Sequence, residues 1–231
     1  YMYRRFSRRP SFRRYSGRTN RNFRSQGINP SLYISKAKLQ LQEESAREQI
    51  TFEAFPFDSI LRDSIVKKGY TNPTPIQAKT ISYILEGKDV IGEANTGTGK
   101  TGAFVLPLIQ KILLKSSERI LILVPTRELA HQIRDEISQL SAGMRIYSTL
   151  CIGGKHIRDQ IYQLQRNPHF VIATPGRLKD LISQNAVQLN TFHTVVLDEA
   201  DRMVDMGFIH DITKILSLLP DERQSLCFSA T

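Results

Sequence analysis

Two stretches of the chain carry residue types that could do chemistry together. The first, GEANTGTGKTGAF at 92–104, sets Gly97 and Gly99 just before Lys100 and Thr101. It lies between the apolar pair Val90–Ile91 and a helically spaced run, Phe104, Leu108 and Ile112. Glycines let successive backbone N–H groups curl around an anion where a helix starts, and a lysine there neutralises phosphate charge. Gly99, Lys100 and Thr101 fit the last three positions of the phosphate-loop pattern G-x-x-x-x-G-K-[ST], whereas Ala94 stands at its first. Thr96, Gly97, Thr98 and Gly99 would form the cradle, Lys100 would meet the β and γ phosphates, and the Thr101 hydroxyl would ligate Mg²⁺. The second stretch, VVLDEAD at 195–201, runs three apolar residues into the adjacent carboxylates Asp198 and Glu199. Asp198 suits Mg²⁺, largely through its water shell, because that ion sheds water reluctantly. Glu199 suits orienting or deprotonating an attacking water. Asp201 alone reads equally well as an acid favoured at a helix N-terminus.

These groups need elements that bring them to one place. From Phe52 onward, short β-rich runs alternate with helical ones. The pattern predicts strands over Val90–Gly92, Ile120–Pro125, Ile146–Cys151, Val171–Thr174, Val195–Asp198 and Leu226–Ser229. Helical spacing covers 58–68, 75–86, 100–114, 127–141, 154–166, 176–184 and 208–218. Near-continuous apolar strands such as ILILV and TVVL suit a mostly parallel sheet with helices on both faces. This is a doubly wound α/β domain. Such sheets bind ligands beyond the carboxyl ends of their strands. Gly97–Thr101, Thr126–Arg127, Pro175–Arg177 and Asp198–Glu199 all fall at such ends, which argues for one composite site.

Charge divides the chain. Residues 1–42 hold nine arginines and two lysines but no acid, while the remainder holds 21 basic and 22 acidic residues. Residues 1–35 thus read as a disordered arm in which arginine is interleaved with Tyr1, Tyr3, Phe6, Phe12, Tyr15 and Phe23. Guanidinium groups pair with phosphates and, like aromatic rings, stack on bases, so the arm reads as a non-specific nucleic-acid binder. A solvated tail and an organelle-targeting segment share its composition. A polar connector follows over 36–51, and residues 52–231 form the globular domain. Cys151 and Cys227 have no metal-ligand spacing and read as reduced core thiols, which points to the cytoplasm. The five histidines form no ligand-spaced cluster, and no apolar run is long enough to span a membrane.

ANTGTGKT together with LDEAD resembles the DEAD-box ATP-dependent RNA helicases, and the resemblance extends over nearly the whole chain after Phe52. GYTNPTPIQ at 69–77, PTRELA at 125–130, GG at 153–154, TPGR at 174–177 and SAT at 229–231 follow the family's order and approximate spacing. The resemblance implies a RecA-like domain that binds ATP and Mg²⁺. It implies that Gln77 reads the adenine edge, Tyr70 stacks on its face, Thr74 supports the pocket and Phe52 is the isolated upstream aromatic. Lys100, Asp198 and Glu199 would be the catalytic set. Pro125, Thr126, Arg127, Gly153, Gly154, Thr174, Pro175, Gly176 and Arg177 would line a groove for single-stranded RNA backbone, with low sequence specificity. Asp201, Ser229 and Thr231 would couple nucleotide state to that groove.

The family's second RecA-like domain, with its arginine fingers, is not in these 231 residues. The expectation is a piece of a helicase whose parent separates RNA strands locally, the piece itself having little ATPase activity. A DNA helicase is the nearest rival, and a non-catalytic RNA-binding scaffold the next; intact Lys100, Thr101, Asp198 and Glu199 speak against the latter. Deleting residues 1–27 should weaken single-stranded RNA binding and flatten its salt dependence. An unchanged affinity and slope in a salt titration would leave the arm without a role in RNA binding.

Overall fold

Six short aliphatic runs pair into one sheet in the computed structural model, which describes residues 50–230. The arm over 1–35, all but the last two residues of the connector over 36–51, and the coupling role of Thr231 lie outside the described residues. The strands are β1 (Val90–Glu93), β2 (Ile120–Leu123), β3 (Ser148–Cys151), β4 (Phe170–Ala173), β5 (Thr194–Asp198) and β6 (Gln224–Ser229). Their order is β1-β6-β5-β2-β4-β3, and every pairing is parallel. The domain is therefore the doubly wound α/β arrangement that the alternation of elements predicts, consistent with the RecA-like fold that the resemblance implies.

Alternation within single strands explains why the runs are apolar throughout. Ile120, Ile122 and Val124 join one core with Phe104, Ile133, Ile172 and Val196. Leu121 and Leu123 join the other, with Val171, Leu178, Val195 and Ile212. A strand covered on both faces has no polar side to display.

Eight α-helices cover these faces: α1 (Ser59–Lys67), α2 (Pro75–Leu85), α3 (Lys100–Leu114), α4 (Arg127–Leu140), α5 (Ile157–Leu164), α6 (Pro175–Ser183), α7 (Ala200–Asp205) and α8 (Ile209–Leu216). Their starts are chemically marked. Asp58 accepts from the Ile60 N–H at 3.1 Å, and the Thr126 hydroxyl accepts from the Leu129 N–H at 3.2 Å. Pro75 and Pro175 occupy first turns, where a missing N–H is harmless. On α4, Ala130, Ile133, Ile137 and Leu140 form one buried face.

Several boundaries differ from the sequence pattern. α5 starts at Ile157 rather than 154, because Gly154 turns the chain at φ 78°. β3 starts at Ser148 rather than Ile146, just after Arg145 at φ 38°. β2 ends at Leu123, although the Val124 N–H still bonds Ala173 O at 3.0 Å. Helix α7 lies outside every predicted helical run, and only the reading of Asp201 as an acid at a helix N-terminus pointed to it: only Met203 of its six residues is buried, so no periodicity marks it.

Gly92 shows how tightly β1 meets its neighbour. A Cβ at this position would stand 2.7 Å from the Phe228 ring, below any real carbon contact. Gly92→Ala should therefore destabilise the domain by roughly 1–3 kcal/mol through overpacking. A urea melt checks this, and an unchanged midpoint would mean that Phe228 has room to move.

Candidate nucleotide and nucleic-acid site

The loop after β1 enters α3 through two residues in left-handed backbone, Gly97 at φ 82° and Gly99 at φ 89°. Lys100, the first residue of α3, is only 8% exposed. Its ammonium donates to Ala94 O at 2.6 Å and Ser229 O at 3.3 Å. The lysine thus bridges the loop's own first turn to the end of β6. Thr101 is half-buried beside it, and the Thr98 hydroxyl closes the loop onto Asn95 O at 2.6 Å.

Strand β5 delivers Asp198 to the same place. A cleft of about 420 Å³ is lined by Thr96, Gly97, Gly99, Lys100, Thr101, Asp198 and Glu199. Asp198 is 3% exposed, and burial, then repulsion from Glu199, raise its carboxyl to about 6 against the opposing pull of Lys100. A buried carboxylate short of positive charge is a fitting partner for a divalent cation. Glu199 sits in left-handed backbone at φ 52°, which turns the chain from β5 into α7. Its carboxylate meets Arg202 Nη1 at 3.0 Å, and its N–H donates to Asp198 Oδ1 at 3.1 Å.

Behind the loop, Gln77 is 3% exposed with both ends of its carboxamide engaged. Its oxygen accepts from the Thr74 N–H at 3.0 Å, and its nitrogen donates to Gly99 O at 3.0 Å. A Cβ on Gly99 or Gly102 would approach that nitrogen to 2.7 Å, so both glycines are required for the contact. Tyr70 lines the cleft, its ring parallel to that of Phe52 at 6.2 Å and 17°. Phe52 is buried and packs on Phe55 as well.

Four cleft residues escaped the sequence reading: Gly102 on α3, and Leu129, Gln132 and Glu136 at helical spacing on one face of α4. Glu136 accepts from the Tyr70 hydroxyl at 2.5 Å and pairs with Lys68 at 2.8 Å. Burial, then this carboxylate, push the phenol's pKa above its ordinary value. The i, i+3, i+7 pattern was the available signal, but it required knowing that α4 starts beside the loop.

The adjoining strand ends carry the other polar motifs. β2, β4 and β3 are neighbours, so the loops after them are contiguous. Pro125 is buried, Thr126 caps α4, and exposed Arg127 reaches Gly153 O at 3.5 Å. Gly154 leaves room for that guanidinium, which a Cβ would strike. The Thr174 N–H donates to Cys151 O at 3.1 Å, Pro175 and Gly176 open α6, and Arg177 donates to Lys155 O at 3.1 Å. The Ala230 N–H donates to Asp201 Oδ2 at 3.1 Å, joining the end of β6 to α7.

A glycine loop facing an aspartate–glutamate pair across a parallel sheet defines the class of phosphate-loop α/β proteins. Residues 74–231 match the DEAD/DEAH box helicase family, and the chain belongs to that family. It is 47% identical over 182 residues to the DEAD-box ATP-dependent RNA helicase CshA of Geobacillus kaustophilus, covering 78% of this chain and 39% of the relative. The ATP-dependent RNA helicase CshA of Listeria monocytogenes is 49% identical over 181 residues, covering 78% and 35%. The chain thus spans less than two-fifths of the length of these relatives. A DEAD box protein of Methanococcus jannaschii superposes with a TM-score of 0.75 at 38% identity, over 78% of this chain and 50% of that one. A hypothetical ATP-dependent RNA helicase of Sulfolobus tokodaii gives 0.70 at 38%, over 76% and 51%.

Asp198 allows a direct measurement. An acid whose folded-state value lies above its unfolded one holds its proton more tightly when folded. Its burial therefore costs nothing below the ordinary 3.8 and costs fully above about 6. That difference is on the order of 3 kcal/mol. In metal-free, nucleotide-free buffer, Asp198→Asn should raise the unfolding midpoint at neutral pH, and the gain should fade as pH falls from 6 toward 4. A variant no more stable than the parent at neutral pH would contradict it.

Proposed function

We propose that residues 52–231 form the ATP-binding and RNA-backbone-binding domain of an RNA helicase whose intact protein couples ATP hydrolysis to local strand separation. The observation that carries this is the single cleft joining Lys100 and Thr101 to Asp198 and Glu199. The names of the curated relatives, ATP-dependent RNA helicases, support the same activity.

In this reading the amide cradle over 96–99 receives the phosphates, and Lys100 exchanges its bonds to Ala94 O and Ser229 O for bonds to the β and γ oxygens. Thr101 and Asp198 would hold Mg²⁺, which would supply neutralisation of charge on the transferred phosphoryl group. Glu199 orients the attacking water, positioned by its pair with Arg202. Tyr70 offers the base a ring face that Phe52 and Glu136 keep in place. Gln77 carries a second amide hydrogen and a second lone pair with which to read the adenine edge.

The loops after β2, β4 and β3 hold RNA through Thr126, Arg127, Gly153, Gly154, Thr174 and Arg177, contacts that read backbone rather than bases. The Ala230–Asp201 bond carries nucleotide state toward them. The free thiols Cys151 and Cys227 support a cytoplasmic location. Lys100 is the one lysine or arginine lining the cleft among the described residues, so the 231-residue polypeptide alone should bind nucleotide weakly and turn it over slowly.

Calorimetric titration with magnesium ATP tests the reading. Lys100→Ala should abolish the binding heat while the thermal melt stays cooperative. Glu199→Gln should keep binding but, in the intact helicase, lower turnover by about a hundredfold or more. Wild-type affinity in Lys100→Ala would refute the phosphate site.

A further inference from the structure

A groove of about 510 Å³ follows the outer edge of β3, walled by Tyr147, Ser148, Thr149, Gln163, Arg166 and Pro168. It shares Ser148 and Gln163 with a hollow of about 250 Å³ to which Arg134, Lys155, His156 and Asp159 contribute. β3 is the last strand of the sheet and pairs only with β4. Among the described residues, the two spaces therefore run down an unpaired strand edge, from its carboxyl end at Lys155 to its amino end at Tyr147.

Three features of this edge point to one ligand. It is cationic: Arg134, Lys155 and Arg166 face it against the single carboxylate Asp159. Arg134 also pairs with Asp135 at 2.8 Å, but that pair is exposed and screened, so a phosphate competes readily. It ends on an aromatic platform: Tyr147 is 60% exposed, with its ring stacked on His169 at 6.1 Å and 22°. Burial lowers the His169 pKa, so the imidazole stays neutral at physiological pH. And it is continuous with the loop after β4, because Arg177 donates to the Lys155 carbonyl at 3.1 Å. A peptide adding to this edge would want pockets for alternate apolar side chains, whereas the side chains here are Ser148, Thr149, Gln163 and Arg166 beside Tyr147 and Pro168.

We propose that the β3 edge is a second binding segment for single-stranded RNA. It takes the strand onward from the TPGR loop, pairs its phosphates with Lys155, Arg134 and Arg166, and stacks a base on Tyr147. Basic grooves ending on aromatic faces bind single strands in this way, with little preference for sequence. The inference rests on the reading of the loops after β2, β4 and β3 as an RNA groove.

Fluorescence anisotropy on the full 231-residue chain tests it with a short and a long oligouridylate, about 6 and about 15 nucleotides, sizes that fill one binding segment or more. The double variant Arg134→Gln/Arg166→Gln should weaken the long oligomer and reduce its salt slope by about 1.4, two single-strand phosphate contacts. Tyr147→Ala should weaken the long oligomer about fivefold or more while leaving the slope unchanged. Neither variant should alter the short oligomer, and the basic arm is common to all samples. Unchanged binding of the long oligomer in both variants overturns the proposal, as does an equal loss for both lengths. A gain or loss of self-association in the variants, without change in RNA affinity, assigns the edge to a second copy and overturns it too. Failure of the underlying reading is seen separately, as a short oligomer that binds Arg127→Ala and Arg177→Ala as well as the parent, and it removes this inference with it.

Discussion

Parallel registry is the constraint from which the rest of this structure follows. Each strand enters the sheet at one end and leaves it at the other, so every turn that follows a strand emerges along one edge. The pairing holds these exits in line: Glu93 is opposite Ser229, Asp198 opposite Phe228, and Leu123 opposite both Leu197 and Ala173. Hydrogen bonds and two apolar cores fix that alignment, and the polar motifs inherit it. A slip of one residue in β5 would exchange Asp198 for a neighbour on the other face, since side chains alternate. The chemistry of the cleft is therefore specified largely by aliphatic residues that never touch it.

The strand order assigns the edge to two tasks. β1, β6 and β5 lie together and bring the glycine loop, Ser229 and Asp198 to one side. β2, β4 and β3 lie together on the other, with Thr126, Thr174 and Gly153 beyond them. The boundary falls between β5 and β2, which are hydrogen-bonded neighbours. Groups proposed to meet phosphate and groups proposed to hold RNA are thus attached to adjacent strands of one sheet. Above that sheet, α7 holds only Met203 in the core.

Much of this was legible in the sequence because its causes are local. Continuous apolar runs gave the strands, and Gly99 followed by Lys100 and Thr101 marked the loop without any knowledge of tertiary contacts. What escaped depends on contacts between distant residues. α7 lacks periodicity because one residue anchors it, and the three-residue delay in α5 comes from the left-handed turn at Gly154. Glu136 is an ordinary acid on an amphipathic helix until the fold sets it beside Tyr70, 66 positions earlier. Gln77 was read as facing a ligand, and no linear pattern shows that the fold also sets its carboxamide between the Thr74 N–H and the Gly99 carbonyl. The groove along β3 was invisible for the same reason, since no linear pattern says which strand ends the sheet.

The engagement of Lys100 gives this edge a stored preference. In the absence of phosphate its ammonium is held by Ala94 O and Ser229 O, the latter one residue before Ala230, whose N–H holds Asp201. Any anion that draws Lys100 away removes a charge-assisted bond from the end of β6 and leaves the Ser229 carbonyl with the Ala94 N–H at 3.1 Å. It also withdraws from Asp198 the one cation that opposes the rise of its carboxyl. Phosphate binding without a metal would therefore raise the cost of keeping Asp198 ionised, whereas phosphate binding with a divalent cation replaces the lost charge twice over. A linkage between the proposed nucleotide and metal would thus follow from one lysine that serves the Ala94 and Ser229 carbonyls and the Asp198 carboxylate and is proposed to meet the phosphate, and the peptide unit that carries the Ser229 carbonyl is the one whose N–H grips α7.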